Sequence, residues 1–341
     1  HARDGARVIE TGSGRSSRAA PDALTEPAVP AGLVAAAAGR PADALLTGPS
    51  TRQAVDGNTW LRTLPRTVAD LCAEWELTPD GAARHGVCAI ALPVTGALGP
   101  AVLKVTWPHH EAAAEHLALR HWGGQGAVRL LRADPSRWAL LLERLDADRD
   151  LHGIPVDEAC EVVGDLLRQL RVPAPPTVPR LTEYAARQAA KFTQVIDGGA
   201  CPVPRRFIEQ ARSLAAQFAT DAENGTWLLH TDLHCANVLG GARDGQPAWV
   251  AIDPKPAAGD RAMEVAPLLW DRPGEPGIGS DLRWSLRRRL QIVCETAEID
   301  EDRARAWAIV REMDNALDVA HDAAAADRVS LAVAIIKAMQ R

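Results

Sequence analysis

The sequence predicts an α+β fold in two unequal lobes: a small one with an antiparallel sheet plus a helix, then a larger, mainly helical one. Three features carry this. Apolar and β-branched residues fill Val87-Cys88-Ala89-Ile90-Ala91-Leu92-Pro93-Val94 and Ala101-Val102-Leu103-Lys104-Val105, with a Gly96 to Pro100 turn between them, which reads as antiparallel strands. Beyond Asp150 the apolar residues recur at helical spacing. Finally, a polar loop set between short apolar segments interrupts those helices at 228–253. At 341 residues the chain has ample material for the core of such a body.

Residues 1–28 are rich in Arg, Ala, Gly, Ser and Pro without an apolar period, so they are expected to be disordered or to extend outside the fold. The small lobe is expected over 29–145 and the larger over 146–341. Pro65 suits a first helical turn, and Val68, Leu71, Cys72 and Trp75 follow on one helix face. After the two strands, Pro108 opens a helix reaching about Trp122, and Trp138 to Leu142 reads as another strand. Val156 to Leu170 places Ala159, Val162, Val163, Leu166, Leu167 and Leu170 on one stripe, and Phe207 to Phe218 repeats the pattern. The Pro-rich run 173–179 breaks the chain between them. Helices over about 279–297, 300–319 and 325–340 complete the large lobe, and no internal repeat is visible.

A net charge of −6 and a pI near 6.0 give no support to nucleic-acid binding, which needs clustered Lys and Arg. A mildly acidic surface suits a cationic small molecule, and solubility explains it equally well. The six cysteines are scattered without Cys-x-x-Cys spacing, so reduced thiols in a cytoplasmic protein are expected. No apolar stretch approaches the roughly 20 residues of a membrane span, so no membrane partner is expected. A monomer is expected.

The chemistry concentrates in Leu228-Leu229-His230-Thr231-Asp232-Leu233-His234-Cys235-Ala236-Asn237-Val238-Leu239 and in Trp249-Val250-Ala251-Ile252-Asp253. Asp232 and Asn237 stand five positions apart in a loop between apolar segments, and Asp253 closes a later one. The spacing Asp-x-x-x-x-Asn is that of the protein-kinase catalytic loop, with His230 at the His position and Thr231 replacing the Arg. Phosphoryl transfer from ATP needs a group to take the acceptor's proton, which assigns Asp232 as base. It also needs Mg2+, which prefers hard oxygen ligands and keeps several waters, so an amide and a carboxylate suffice; Asn237 and Asp253 fit. Two blander readings stand beside this one. The loop could be a polar turn with Asx-type bonds, or His230, Asp232, His234 and Cys235 could form a transition-metal site.

With Ile252-Asp253-Pro254-Lys255-Pro256-Ala257-Ala258-Gly259-Asp260, with residues 119–131 (LRHWGGQGAVRLL) and with Leu140-Leu141-Leu142-Glu143-Arg144-Leu145, the loop resembles the aminoglycoside phosphotransferase group. Within it the match is to the streptomycin 6-phosphotransferase and hydroxyurea phosphotransferase family, over about residues 29–341. The resemblance implies a protein-kinase-like fold and transfer of the ATP γ-phosphate to a hydroxyl of a small-molecule acceptor, an aminoglycoside such as streptomycin or hydroxyurea, giving resistance. Another metabolite as acceptor, or a nucleotide-binding module without catalysis, are the alternatives. In the kinase plan Lys104 would meet the α and β phosphates and pair with Glu111 or Glu115, four apart on the following helix. Asp80 to Gly86 would form the phosphate-covering turn, and the backbone around Glu143 and Leu145 would meet the adenine. Asp260, Glu264 and Asp271 are candidates for contact with a cationic acceptor, or structural acids.

Overall fold

The structure, a computed structural model, describes residues 28–46, 54–199, 201–221, 226–272, 275 and 282–340. The expectation for residues 1–28 falls, except for Ala28, outside them. Two helices open the described chain, α1 (Ala31–Ala37) and α2 (Gly57–Glu74). Asp56 caps α2 by accepting from Thr59 N–H at 2.9 Å. Pro65 therefore lies inside the helix and not in its first turn, as the sequence suggested. A proline there forfeits one backbone bond; burial of Trp60, Leu64, Val68 and Leu71 on the same face offsets it.

Short strands β1 (Thr78–Pro79) and β2 (Arg84–His85) both pair with β3 (Ala89–Gly96), which forms a hairpin with β4 (Gly99–Thr106). Ile90, Leu92 and Val94 of β3 and Ala101, Leu103 and Val105 of β4 point toward α1 and α2, where they form one core. Side chains alternate along a strand, so Lys104 faces the other way. Helix α3 (Glu115–Trp122) packs on that second face through Ala118, Leu119 and Trp122 with Leu140 and Leu142. It begins later than Pro108 suggested. His110 N–H donates to Asp43 at 2.6 Å, and residues His110–Ala112 form only a 3-10 turn.

Strands β5 (Leu130–Asp134) and β6 (Ala139–Glu143) complete the antiparallel order β1-β3-β4-β6-β5. At Arg144 and Leu145 the chain changes sheet, for β7 (Asp146–Asp150) pairs instead with β9 (Val238–Arg243). The helical part follows with α4 (Val156–Gln169), α5 (Leu181–Gly198) and α6 (Arg205–Thr220). Helix α5 was not foreseen. Its buried residues Leu181, Ala185, Gln188, Phe192 and Ile196 keep helical spacing, but Ala and Gln at two of those positions blur the apolar stripe.

β8 (Trp227–Leu229) pairs with β11 (Ala257–Gly259), and β9 pairs with β10 (Gln246–Ala251). Gly240 and Gly241 belong to β9, and the turn is Asp244-Gly245, both at positive φ (51° and 76°). A Cβ on Gly241 would stand 2.8 Å from the Leu145 side chain, so this glycine lets the inter-sheet linker sit close. Helices α7 (Pro267–Trp270), α8 (Leu282–Ala297), α9 (Glu301–Asp318) and α10 (Ala326–Met339) close the chain around Trp307, Met313 and Ile335. None of the described helices is long and apolar enough to cross a membrane.

Candidate active site

The loop from His230 to Asn237 hangs between β8 and β9, and Asp253 follows β10, so the two motif halves meet where the hairpin returns. A backbone bond from Ile252 N–H to Asn237 O (2.9 Å) sets Asp253 beside Asn237. His230 is fully buried and orders both halves. Its Nδ1 accepts from Asp232 N–H at 3.3 Å, which leaves the proton on Nε2, donating to Ile252 O at 2.9 Å. Burial pushes its pKa down to about 4, so the ring stays neutral and keeps this tautomer. Both ring nitrogens are engaged, which removes His230 from any metal-ligand set, and the transition-metal reading loses its first donor. Among the described residues no group of three His, Cys, Asp or Glu is placed to hold a metal.

Two residues of the site hold left-handed backbone, Thr231 (φ 59°) and Asp253 (φ 57°). For a β-branched residue such as Thr231 this costs about 1–3 kcal/mol and needs support. Glu264 supplies it. Its carboxylate is buried and accepts from His230 N–H at 2.6 Å and from Thr231 N–H at 2.8 Å, while Thr231 Oγ1 donates to Lys255 O at 2.6 Å. Burial raises the Glu264 pKa to about 7 in spite of those donors. Asp260 caps the following 3-10 turn and accepts from Trp307 Nε1 at 2.7 Å and from Arg303; Asp271 accepts from Cys235 N–H at 2.7 Å. All three acids considered for a cationic acceptor thus have structural partners.

Asn237 donates through Nδ2 to Asp232 O at 2.9 Å, which leaves its amide oxygen as the remaining donor atom of the side chain. About half of the Asp253 side chain (49%) is open to solvent. Burial alone would raise its pKa, but the Lys104 ammonium outweighs that and pulls it down to about 2, so it is charged at neutral pH. An amide oxygen and an ionised carboxylate side by side are the donor set a hard divalent cation accepts.

Lys104 reaches this point from β4. Its Nζ lies 2.6 Å from Glu115 Oε1 and bonds Asp253, so one ammonium ties the sheet, α3 and the catalytic hairpin. Burial disfavours its charge, but Asp253 and Glu115 together raise its pKa above the ordinary value. Glu115 itself is buried and pushed up to about 7 by desolvation, against the pull of Lys104. Of the two candidate partners, Glu115 is therefore the one Lys104 meets. Glu111 falls in the 3-10 turn, off the α3 face, and its carboxylate lies 3.7 Å from Lys255.

Lys255 was not singled out in the sequence. Its Nζ stands 3.0 Å from Asp232 Oδ2, over the residue assigned as base. Burial disfavours the ammonium, and Asp232 and Glu111 more than restore it, raising its pKa. The available signal was its place two residues after Asp253, between two prolines.

At the linker, Glu143 N–H is taken by Arg129 O (3.0 Å), and its carboxylate accepts from Arg129 N–H (2.8 Å) and Arg243 Nη2 (2.6 Å). Its side chain is thus a structural tie between β6 and β9. Arg144 reaches back to Val94 O (2.7 Å) and to Asp80 (2.8 Å), anchoring the start of the expected phosphate-covering turn to the sheet.

Residues 74–323 match the family model of the aminoglycoside/hydroxyurea antibiotic resistance kinases. The chain belongs to that family. It is 37% identical over 283 residues to a streptomycin 6-kinase of Streptomyces glaucescens, covering 82% of this chain and 91% of that one. It is 40% identical over 268 residues to a hydroxyurea phosphotransferase of Kitasatospora aureofaciens, covering 76% and 74%. Among solved structures, aminoglycoside phosphotransferase APH(4)-Ia in a ternary complex with ADP and hygromycin B superposes with a TM-score of 0.53 at 15% identity, covering 79% of this chain and 97% of that one. At that identity the likeness establishes the kinase-like fold, and the family match establishes the class of enzyme.

Proposed function

We propose that this kinase transfers the γ-phosphate of ATP to a hydroxyl of an antibiotic, either an aminoglycoside such as streptomycin, or hydroxyurea, and so inactivates it. The observation that carries the reading is the meeting of Lys104, Asp232, Asn237 and Asp253 in one cluster, in a chain of this family. In this reading residues 29–145 form the nucleotide lobe and 146–341 the acceptor lobe. Lys104, held by Glu115, neutralises the α and β phosphates. The linker backbone near Glu143 and Leu145 lies against the adenine. Asp232 orients the acceptor hydroxyl and takes its proton as the new O–P bond forms and ADP departs. Asn237 and Asp253 would hold Mg2+, which when bound neutralises charge on the triphosphate.

The six cysteines are all free, which supports a reducing cytoplasmic setting, and we take the enzyme to act as a monomer. The test is phosphate transfer from labelled ATP with magnesium against streptomycin, other aminoglycosides and hydroxyurea. Transfer to one of them, abolished in Asp232→Ala with the fold intact, is the expected result. No transfer to any, or full turnover in Asp232→Ala, would overturn the reading.

A further inference from the structure

We infer that Lys255 is the cation that receives the transferring phosphoryl group, leaving Asp232 for it when the triphosphate enters. This rests on the kinase reading above and adds a residue to it. Lys255 is not a wandering surface lysine. Its N–H donates to His230 O at 2.9 Å and its carbonyl accepts from Thr231 Oγ1 at 2.6 Å, so its backbone is fixed to the catalytic loop from both sides, and Pro254 and Pro256 stiffen it further.

From that fixed base the ammonium reaches Asp232 Oδ2 at 3.0 Å and Glu111 Oε2 at 3.7 Å. The Lys104 side chain is 9% exposed and closed in by Glu115 and Asp253, whereas the Lys255 side chain is 36% exposed. Each lysine sits between two carboxylates, Lys104 between Glu115 and Asp253 and Lys255 between Asp232 and Glu111. A phosphoryl group in transfer carries its charge on three oxygens, and it must be met at the acceptor end of the site, beside Asp232, where Lys255 stands.

While Lys255 stays on Asp232, it occupies a carboxylate oxygen that the acceptor hydroxyl needs. Drawn to the phosphoryl oxygens, it frees that oxygen. The acceptor oxygen then bonds to phosphorus, its proton passes to Asp232, and the bond from phosphorus to the bridging oxygen breaks with its electron pair leaving on ADP.

The experiment compares ADP with the non-hydrolysable analogue AMP-PNP, each with magnesium, by titration calorimetry on the full chain. Lys255→Met should weaken AMP-PNP by about tenfold or more while leaving ADP within about twofold, since only the former carries a γ group. Lys255→Arg should restore most of the AMP-PNP affinity. Turnover in Lys255→Met should fall through kcat as well, with KM for ATP rising in step with the lost AMP-PNP affinity. An AMP-PNP to ADP affinity ratio equal in wild type and Lys255→Met would overturn the inference and leave the kinase reading standing. Wild type that binds neither nucleotide would overturn the kinase reading, and this inference with it.

Discussion

Lys104 and Lys255 each bridge two carboxylates in the same site, yet one pairing is closed and the other open. Lys104 and Glu115 have side chains 9% and 4% exposed; Lys255 and Glu111 have 36% and 47%. Ion pairs out of water are costly to form and more costly to break, while pairs in water hold little energy and exchange partners readily. The difference divides the labour of the site. The closed pair ties the sheet to α3, with Asp253 linking it to the 230–253 hairpin, and the open pair is the one proposed to change partners.

The largest effect should come from breaking the closed side. Glu115→Gln leaves the buried Lys104 ammonium with Asp253 alone, and the loss of a buried partner costs on the order of 3 kcal/mol. Urea unfolding would measure this. Turnover should fall by about 100-fold, because Lys104, which we propose meets the phosphates, is no longer held in place. A stability change within 0.5 kcal/mol, on the scale of an ordinary surface substitution, would mean that the pair is wetter than its exposure implies.

Next in size is Glu264→Ala. It strands two buried N–H groups, those of His230 and Thr231, each worth about 1–3 kcal/mol when left unpaired. It also removes the support of a left-handed threonine. Both stability and kcat should drop, and Glu264→Gln, which keeps one acceptor oxygen, should recover part of each. Equal stabilities for the Ala and Gln variants would refute the cradle.

These two acids mark where the sequence was legible and where it was not. That Asp232, Asn237 and Asp253 would meet was readable because it depends on short spacings within a loop and a hairpin, which the chain itself fixes. Lys104 was readable because strand alternation sets its face. Glu264 lies 34 positions from His230, and nothing local records that its carboxylate returns to the loop. The choice between Glu111 and Glu115 stayed open because an i, i+4 pair shares a face only if both residues are in one helix. Asp43, 67 positions from His110, takes its N–H, and Glu111 lies in a 3-10 turn. Lys255 was hidden for a related reason: between two prolines no period tells which way a side chain points.

A control for the closed side lies outside the cleft. Glu312 on α9 is 1% exposed, with Oε1 buried and without a hydrogen-bond partner, and desolvation raises its pKa to about 8. The folded chain therefore binds a proton there that the unfolded chain has lost. The stability tied to that proton is present below about pH 4.5 and is lost as the pH climbs through about 8, at up to about 1.4 kcal/mol per unit. Glu312→Gln should flatten the stability profile between pH 5 and 8 and stabilise the protein most at the alkaline end. An unchanged slope would show that Glu312 stays ionised when folded, and would weaken the same argument for Glu115.

The smallest effect belongs to the open side. Glu111→Gln removes a partner of Lys255 that stands 3.7 Å away with its side chain 47% exposed, where water replaces it at little cost. Stability should change by less than about 1 kcal/mol, and 0.5 M salt should reduce even that. Turnover is the sharper readout. If Lys255 must leave its carboxylates to meet a phosphoryl group, loosening one of them should leave kcat unchanged or raise it modestly. A fall in kcat as deep as that of Glu115→Gln would mean that Glu111 positions Lys255 rigidly, and the contrast between a closed and an open lysine would no longer hold.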